Sequence, residues 1–211
     1  MTKFYINAQT IKAVSMAAEK KDRSRPALNC VLIKPNEMVA TNSFSLYRYR
    51  FYEKIKEVPE EGILFDASLF TKIKASQTVV VFEKLNDNKW IVDNTITEPI
   101  ERKFPESYNS LFEINDGSCN SFGINADYLA EAMKAVKIIN GTRNKKAYAI
   151  MSAYDPVRPI HISASEDKNF EAVIMPVKIK NTGYDSTKTY QLMIWDSVAG
   201  MNSLFGVTAS K

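Results

Sequence analysis

The pattern of apolar and polar positions along this chain repeats. Residues 3–7, "KFYIN", alternate like a half-buried strand, and "AQTIKAVSMAAEKK" (8–21) then switches to a helical period. Ile11, Val14 and Ala18 fall at i, i+3 and i+7, on one helix face. The same strand-to-helix phrase returns twice, as "FYINAQTI" (4–11), "ILFDASLF" (63–70) and "FGINADYL" (122–129). The matching alanines Ala8, Ala67 and Ala126 are 59 residues apart in each gap. This spacing predicts a β-α-β-β unit used three times.

In the first unit "RSRP" ends the helix, because proline disfavours helical geometry in the residue before it. Two β-rich runs follow, 27–33 and 38–52, separated by the turn-like "KPNE". The second unit opens on "ILF", with Asp66 placed to cap a helix over 67–76, "ASLFTKIKAS". A hairpin of "TVVVFEKL" and "KWIVDNTIT" turns at "NDN". Residues 98–118 read as an extended connector. In the third unit a helix over 126–139 carries Leu129, Met133 and Val136 on one face and stops at Asn140-Gly141. Three β-rich runs follow, "KKAYAIMSA", "RPIHISAS" and "NFEAVIMPVKIK". No fourth junction appears near residue 185, which leaves a tail from 181 to 211.

A chain of 211 residues with 45% hydrophobic and 25% charged residues suits an ordinary soluble protein with a real core. Cys30 and Cys119 stand apart, as in a reducing cytosol. Neither a signal peptide nor a membrane span is expected, so the expected location is cytoplasmic. Charge is unevenly placed. The segments 8–25, 66–76 and 126–146 balance to +3, +1 and +3, although the whole chain is only +4. Everything outside those helical segments is therefore −3. Basic helices in a mildly acidic β-rich shell point toward a polyanion, gripped through phosphates without regard to base sequence. The plainer alternative is solvated helix surface, where lysine is common.

Several segments resemble the bacterial DNA sliding clamps, the β subunits of DNA polymerase III. "RPALNCVLI" resembles the family's strand after the first helix of a domain, and "MVATNSFSLYRY" its next strand. "FPESYNSLF" resembles the segment joining successive domains, and "INADYLAEAMKAV" the last helix. "PVRPIHISASEDKNFEAVIMPVKI" resembles the closing strands. These matches run in family order over 3–179. The resemblance implies an α+β DNA-clamp fold of β-α-β-β half-modules, with basic helices on one side and sheets on the other. It departs from the family in length. Family domains contain two half-modules, and a first half for the last domain is missing between Phe112 and Ser121. Cys30 stands where the family has glycine, and Asn42-Ser-Phe-Ser-Leu46 replaces its D-x-x-R-L. The implied organisation is a complete domain over 1–103, a connector over 104–118, a half-module over 119–180 and the tail.

Two sites follow from the resemblance. For the inward helix surface that holds duplex DNA, the candidates are Lys12, Lys20, Lys21, Arg23, Arg25, Lys72, Lys74, Lys134, Lys137, Arg143, Lys145 and Lys146. About half of these can face inward. For the apolar groove that takes peptides from DNA polymerases and clamp loaders, the matching positions are Leu28, Thr41, Leu46, Pro105, Leu111, Val173, Met175 and Pro176. Leu28, Leu46 and Val173 serve equally well as ordinary core residues. The tail contains "QLMIW" and "MNSLF", which are similar to the short peptides that bind such grooves. A tail that simply packs is the plainer reading.

Catalysis finds little support. His161 is the one histidine and lies in the apolar alternation "PIHIS". One histidine and two distant cysteines make a poor zinc set, and no phosphate-binding or nucleophile motif is present. The expectation is a non-enzymatic processivity factor without cofactors, acting as a homo-oligomer on double-stranded DNA. Its rivals are a clamp-fold adaptor or inhibitor that does not encircle DNA, and a nucleic-acid enzyme on an unrelated α/β fold.

Overall fold

The computed structural model describes residues 2–20, 22, 24–86, 88–112, 123–141, 148–153 and 158–177. The chain divides into Met1–Val177 and Lys178–Lys211, and the second unit lies outside the described residues. Elements run in the order β1 (Lys3–Asn7), α1 (Ala8–Ser15), β2 (Cys30–Ile33), β3 (Glu37–Thr41), β4 (Ser45–Arg50), β5 (Ile63–Asp66), β6 (Val79–Lys84), β7 (Trp90–Val92), β8 (Thr95–Thr97), α2 (Ala126–Ile139), β9 (Ala149–Ser152), β10 (Ile160–Ala164) and β11 (Phe170–Ile174). Short 3-10 helices add Pro26–Asn29, Ala67–Phe70 and Glu106–Phe112.

All pairings between these strands are antiparallel. One sheet has the order β1-β6-β7-β8, and the other β5-β2-β3-β4-β11-β10-β9. The repeat is visible in the pairing. β1 crosses to β6 with Asn7 opposite Val79, and β5 crosses to β2 with Asp66 opposite Cys30. The strand before each helix thus pairs with the strand after the other helix, which gives residues 3–97 an internal two-fold. β4 and β11 then join the third unit to the first through five opposed residue pairs.

The three junctions share one capping device. Asn7 Oδ1 accepts from Gln9 N and Thr10 N, Asp66 Oδ1 from Ser68 N, and Asn125 Oδ1 from Asp127 N and Tyr128 N. After the caps the units diverge. α1 stops at Ser15 rather than running to 21. Ser15 Oγ turns back onto Lys12 O, and Met16, Ala17 and Ala18 close with i→i−3 bonds. The helix predicted over 67–76 shrinks to a single 3-10 turn. β-branched Thr71 and Ile73 weaken it, and the carbonyls of Ile73, Lys74 and Gln77 accept from Lys12 Nζ and Gln9 Nε2 of α1. α2 matches its predicted span and ends at Gly141, whose φ of +83 suits a glycine.

Between the sheets and helices lies the main core. Phe4 stacks on Phe82 at 4.6 Å, and Phe65 packs against both Phe82 and Trp90. Ile11, Val14 and Ala18 of the α1 segment are all buried there, as are Ala132, Ala135 and Val136 of α2, while Leu129 and Met133 are half-buried. A second apolar cluster covers the opposite face of the larger sheet. It joins Cys30, Leu32, Val39, Leu46, Leu64 and Val173 to Phe104, Tyr108 and Phe112 of the segment predicted to be an extended connector. That segment instead forms the 3-10 helix Glu106–Phe112, because its aromatics at every fourth position all turn onto the sheet.

Candidate DNA-facing cleft and partner groove

Four of the described basic candidates line one cleft, Lys72 and Lys74 follow the short turn beside it, and Arg25 lines a different one. α1, the turn at 67–71 and α2 enclose about 850 Å³, lined by Lys12, Lys20, Lys134 and Lys137 and also by Glu19, Asp66 and Glu131. Two of those lysines are already engaged. Lys12 Nζ donates to Ile73 O at 2.6 Å, and Lys20 pairs with Glu131 at 3.3 Å. Lys134 and Lys137 are exposed and, among the described residues, form no ion pair; the same holds for Lys72 and Lys74 on the neighbouring turn. Arg25 pairs with Asp22 at 2.8 Å and donates to Ser43 Oγ at 3.0 Å. Hydrogen bonds from Ser24 and Arg25 hold the Asp22 carboxyl down at about 2. Lys21, Arg23, Arg143, Lys145 and Lys146 lie outside the described residues.

The groove candidates divide between the β4–β11 junction and a separate cleft beside Pro26–Asn29. Thr41 of β3 stands opposite Leu46 of β4, which stands opposite Val173 of β11, so the three form one cross-strand row. All three are buried, as is Leu28. Leu111 is half-buried on top of this row's cluster. Thr41 Oγ1 donates to Ser45 O and accepts from Ser43 N, which spends its hydroxyl on the turn. Leu28 and Pro105 line a separate cleft of about 530 Å³ with Arg25, Arg102 and Lys103 at its rim. Met175 and Pro176 follow β11 at the far end, where Met175 N donates to Phe44 O at 2.8 Å. Phe44 is exposed and stacks on Tyr128 at 5.7 Å. The tail sequences "QLMIW" and "MNSLF" lie outside the described residues.

Sequence reasoning missed the polar centre of this face. Arg48 is buried and its guanidinium lies 2.6 Å from the Glu171 carboxylate and 3.7 Å from the centre of the Phe112 ring. Glu37 stands 4.0 Å from the same guanidinium and accepts from Tyr108 Oη at 2.5 Å. Together these contacts pin the 106–112 helix onto the sheet. The alternating charges of "SLYRYR" and the four-residue aromatic spacing were the available signals. His161 sits beside this cluster, edge-on to Phe112. Burial lowers its pKa, Glu171 opposes that shift, and Arg48 adds to it. Burial pushes the Cys30 thiol up to about 12, with a further push from Asp66. Among the described residues no three His, Cys, Asp or Glu side chains could hold a metal ion, and no helix is long and apolar enough to cross a membrane.

Solved structures share this fold. The Pseudomonas aeruginosa DNA polymerase sliding clamp aligns with a TM-score of 0.63 at 12% identity, over 84% of this chain and 67% of that one. The fold is that of a DNA sliding clamp. The Thermotoga maritima DNA polymerase III β subunit aligns at 0.54 and 13% identity, over 85% and 66%. The Bartonella birtlesii clamp, solved bound to griselimycin, aligns at 0.56 and 13%, over 84% and 66%. The chain spans about two thirds of the length of these clamps. No family model matches the sequence, and no curated protein does.

Proposed function

We propose that this protein is a sliding-clamp-like processivity factor. It contacts or encircles duplex DNA with its helix side and docks peptides of replication proteins on the outer side of the β4–β11 junction. The observation that carries this reading is the cross-strand row Thr41–Leu46–Val173 leading to exposed Met175, on a clamp fold. An adaptable methionine beside a buried apolar row suits a short apolar peptide. In this reading the protein works by topology and docking, without a reaction of its own.

One observation favours a second reading, an adaptor that binds replication proteins without encircling DNA. The helix-side cleft sets four lysines against three carboxylates, and two of the lysines are already engaged. Titrating the protein with a labelled Q-L-x-L-F peptide tests the shared part of both readings. Binding is expected, and Met175→Ala should weaken it by roughly fivefold, or about 1 kcal/mol. A peptide that does not bind, or binds the variant equally well, removes the groove from the account.

A further inference from the structure

β4 runs into aromatic residues that neither the helix-side cleft nor the partner groove uses. In "YRYRFY" (47–52) the period of a strand places Tyr49 and Phe51 on one face. β4 stops at Arg50, and the turn beyond it is held by Phe51 N donating to Asn36 O and Ile55 N to Pro35 O, both at 2.8 Å. Between this turn and β1, Tyr5, Tyr49, Phe51, Tyr52 and Glu53 line a pocket of about 230 Å³. It shares no lining residue with the helix-side cleft or with the cleft at Leu28 and Pro105.

The aromatic walls are set before anything enters. Asp167 Oδ2 accepts from Tyr49 Oη at 2.9 Å and Asp167 Oδ1 from Tyr52 Oη at 3.3 Å, so one carboxylate fixes two rings. Burial first, and the Asp167 bond second, hold the Tyr49 phenol above its ordinary 10, so it stays a donor. A phenol that donates to a carboxylate carries more electron density on its ring face, the face that attracts a cation. The Tyr49 and Phe51 rings meet at 57° with centroids 6.2 Å apart, as two walls rather than a stack. Tyr5 and Tyr52 remain 58% and 80% exposed.

The lining selects the charge of the occupant. Glu53 is exposed and forms no ion pair among the described residues, and no lysine or arginine among them lines the pocket. Thr10 Oγ1 donates to Asn7 Oδ1 at 3.0 Å and keeps its own lone pairs for a donor. Ring faces, one free carboxylate and one hydroxyl oxygen suit a compact ammonium, whereas the five-donor fork of a guanidinium would leave donors unmet. The chain shows the same attraction just outside the pocket, where Lys3 Nζ lies 5.9 Å over the Tyr5 ring while paired with Glu83 at 3.3 Å. A pocket smaller than the roughly 300 Å³ of ordinary ligand sites suits the end of a side chain. We propose that it takes the ammonium end of a lysine side chain from a partner protein, whose backbone covers the exposed Tyr5 and Tyr52 rings.

Nuclear magnetic resonance titration of the full chain tests the lysine assignment. The probes are the capped peptide Gly-Gly-Lys-Gly-Gly and the same peptide with uncharged norleucine in place of lysine. The lysine peptide should shift the ring signals of Tyr5, Phe51 and Tyr52 and bind roughly tenfold more tightly than its neutral counterpart. Tyr5→Ala and Tyr52→Ala should each weaken it about fivefold at unchanged circular dichroism. Glu53→Gln, which leaves every ring in place, should weaken it about threefold. Equal binding of the two peptides overturns the proposal, because the pocket is then merely apolar. Ring signals that do not move overturn it too, as does binding that none of the three variants changes. Tetramethylammonium that binds more tightly than the lysine peptide overturns the protein source and gives the pocket to a free amine.

Discussion

β2 and β9 hold equivalent places in two half-modules, yet among the described residues only β2 has a strand on its outer edge. Ile33 of β2 sits under β5 and the layer at 67–73 in the main core. Met151 of β9 faces the same way and is partly in water. The two strands are not separated by hydrophobicity, since "CVLI" and "AIMS" are both apolar at the inward positions. What separates them is whether a second half-module is at hand.

The largest effect should come from the place where the third half-module is locked to the first. Arg48→Ala leaves buried Glu37 without its cation and Glu171 with only the more exposed Arg50 at 3.4 Å. The cost should be about 3–5 kcal/mol, read by urea unfolding. A cost near zero would mean that the β4–β11 junction does not depend on this cluster. Next, Ile33→Ala and Met151→Ala compare the sealed and open positions directly. In the single chain the first should cost roughly 2–4 kcal/mol, and the second under about 1 kcal/mol because its side chain is already partly hydrated. Equal costs would erase the distinction between the two strands.

The smallest effect is a pH slope. Burial holds the His161 imidazole below its ordinary 6.5, so the folded chain favours the neutral ring. As pH falls below 6.5 the unfolded chain takes up its proton first, and stability declines; above 6.5 this contribution to the slope vanishes. His161→Gln should flatten that decline in urea unfolding series between neutral and mildly acid pH. An unchanged slope would mean that the ring is already hydrated in the folded chain.

Much of this architecture was legible because it rests on local signals. The cap Asp66 and the stop at Asn140-Gly141 were readable from residue type and spacing alone, whereas the matching caps Asn7 and Asn125 emerged with the structure. Turns inside β-rich runs were harder. Residues 38–52 form two strands about Ser43, whose φ is +77, and Asp93-Asn94 turns within "WIVDNTIT" with both residues at positive φ. Helix lengths were harder to read, as at 67–76, where only the turn Ala67–Phe70 forms and the carbonyls of Ile73, Lys74 and Gln77 beyond it accept from Lys12 and Gln9 of α1. The groove candidates could be aligned in order, but their placement around a row capped by Tyr108 and Phe112 rests on a pairing of β4 with β11 across more than a hundred residues. That pairing has no local sequence signal.

Retention on circular duplex DNA tests the central claim most directly. The protein, loaded with a clamp loader or at high concentration, should stay on closed circles through gel filtration and leave when one cut linearises them. Its residual contacts should weaken steeply as salt rises. Loss from circles and linear DNA alike, with peptide binding intact, would contradict encirclement and leave the adaptor.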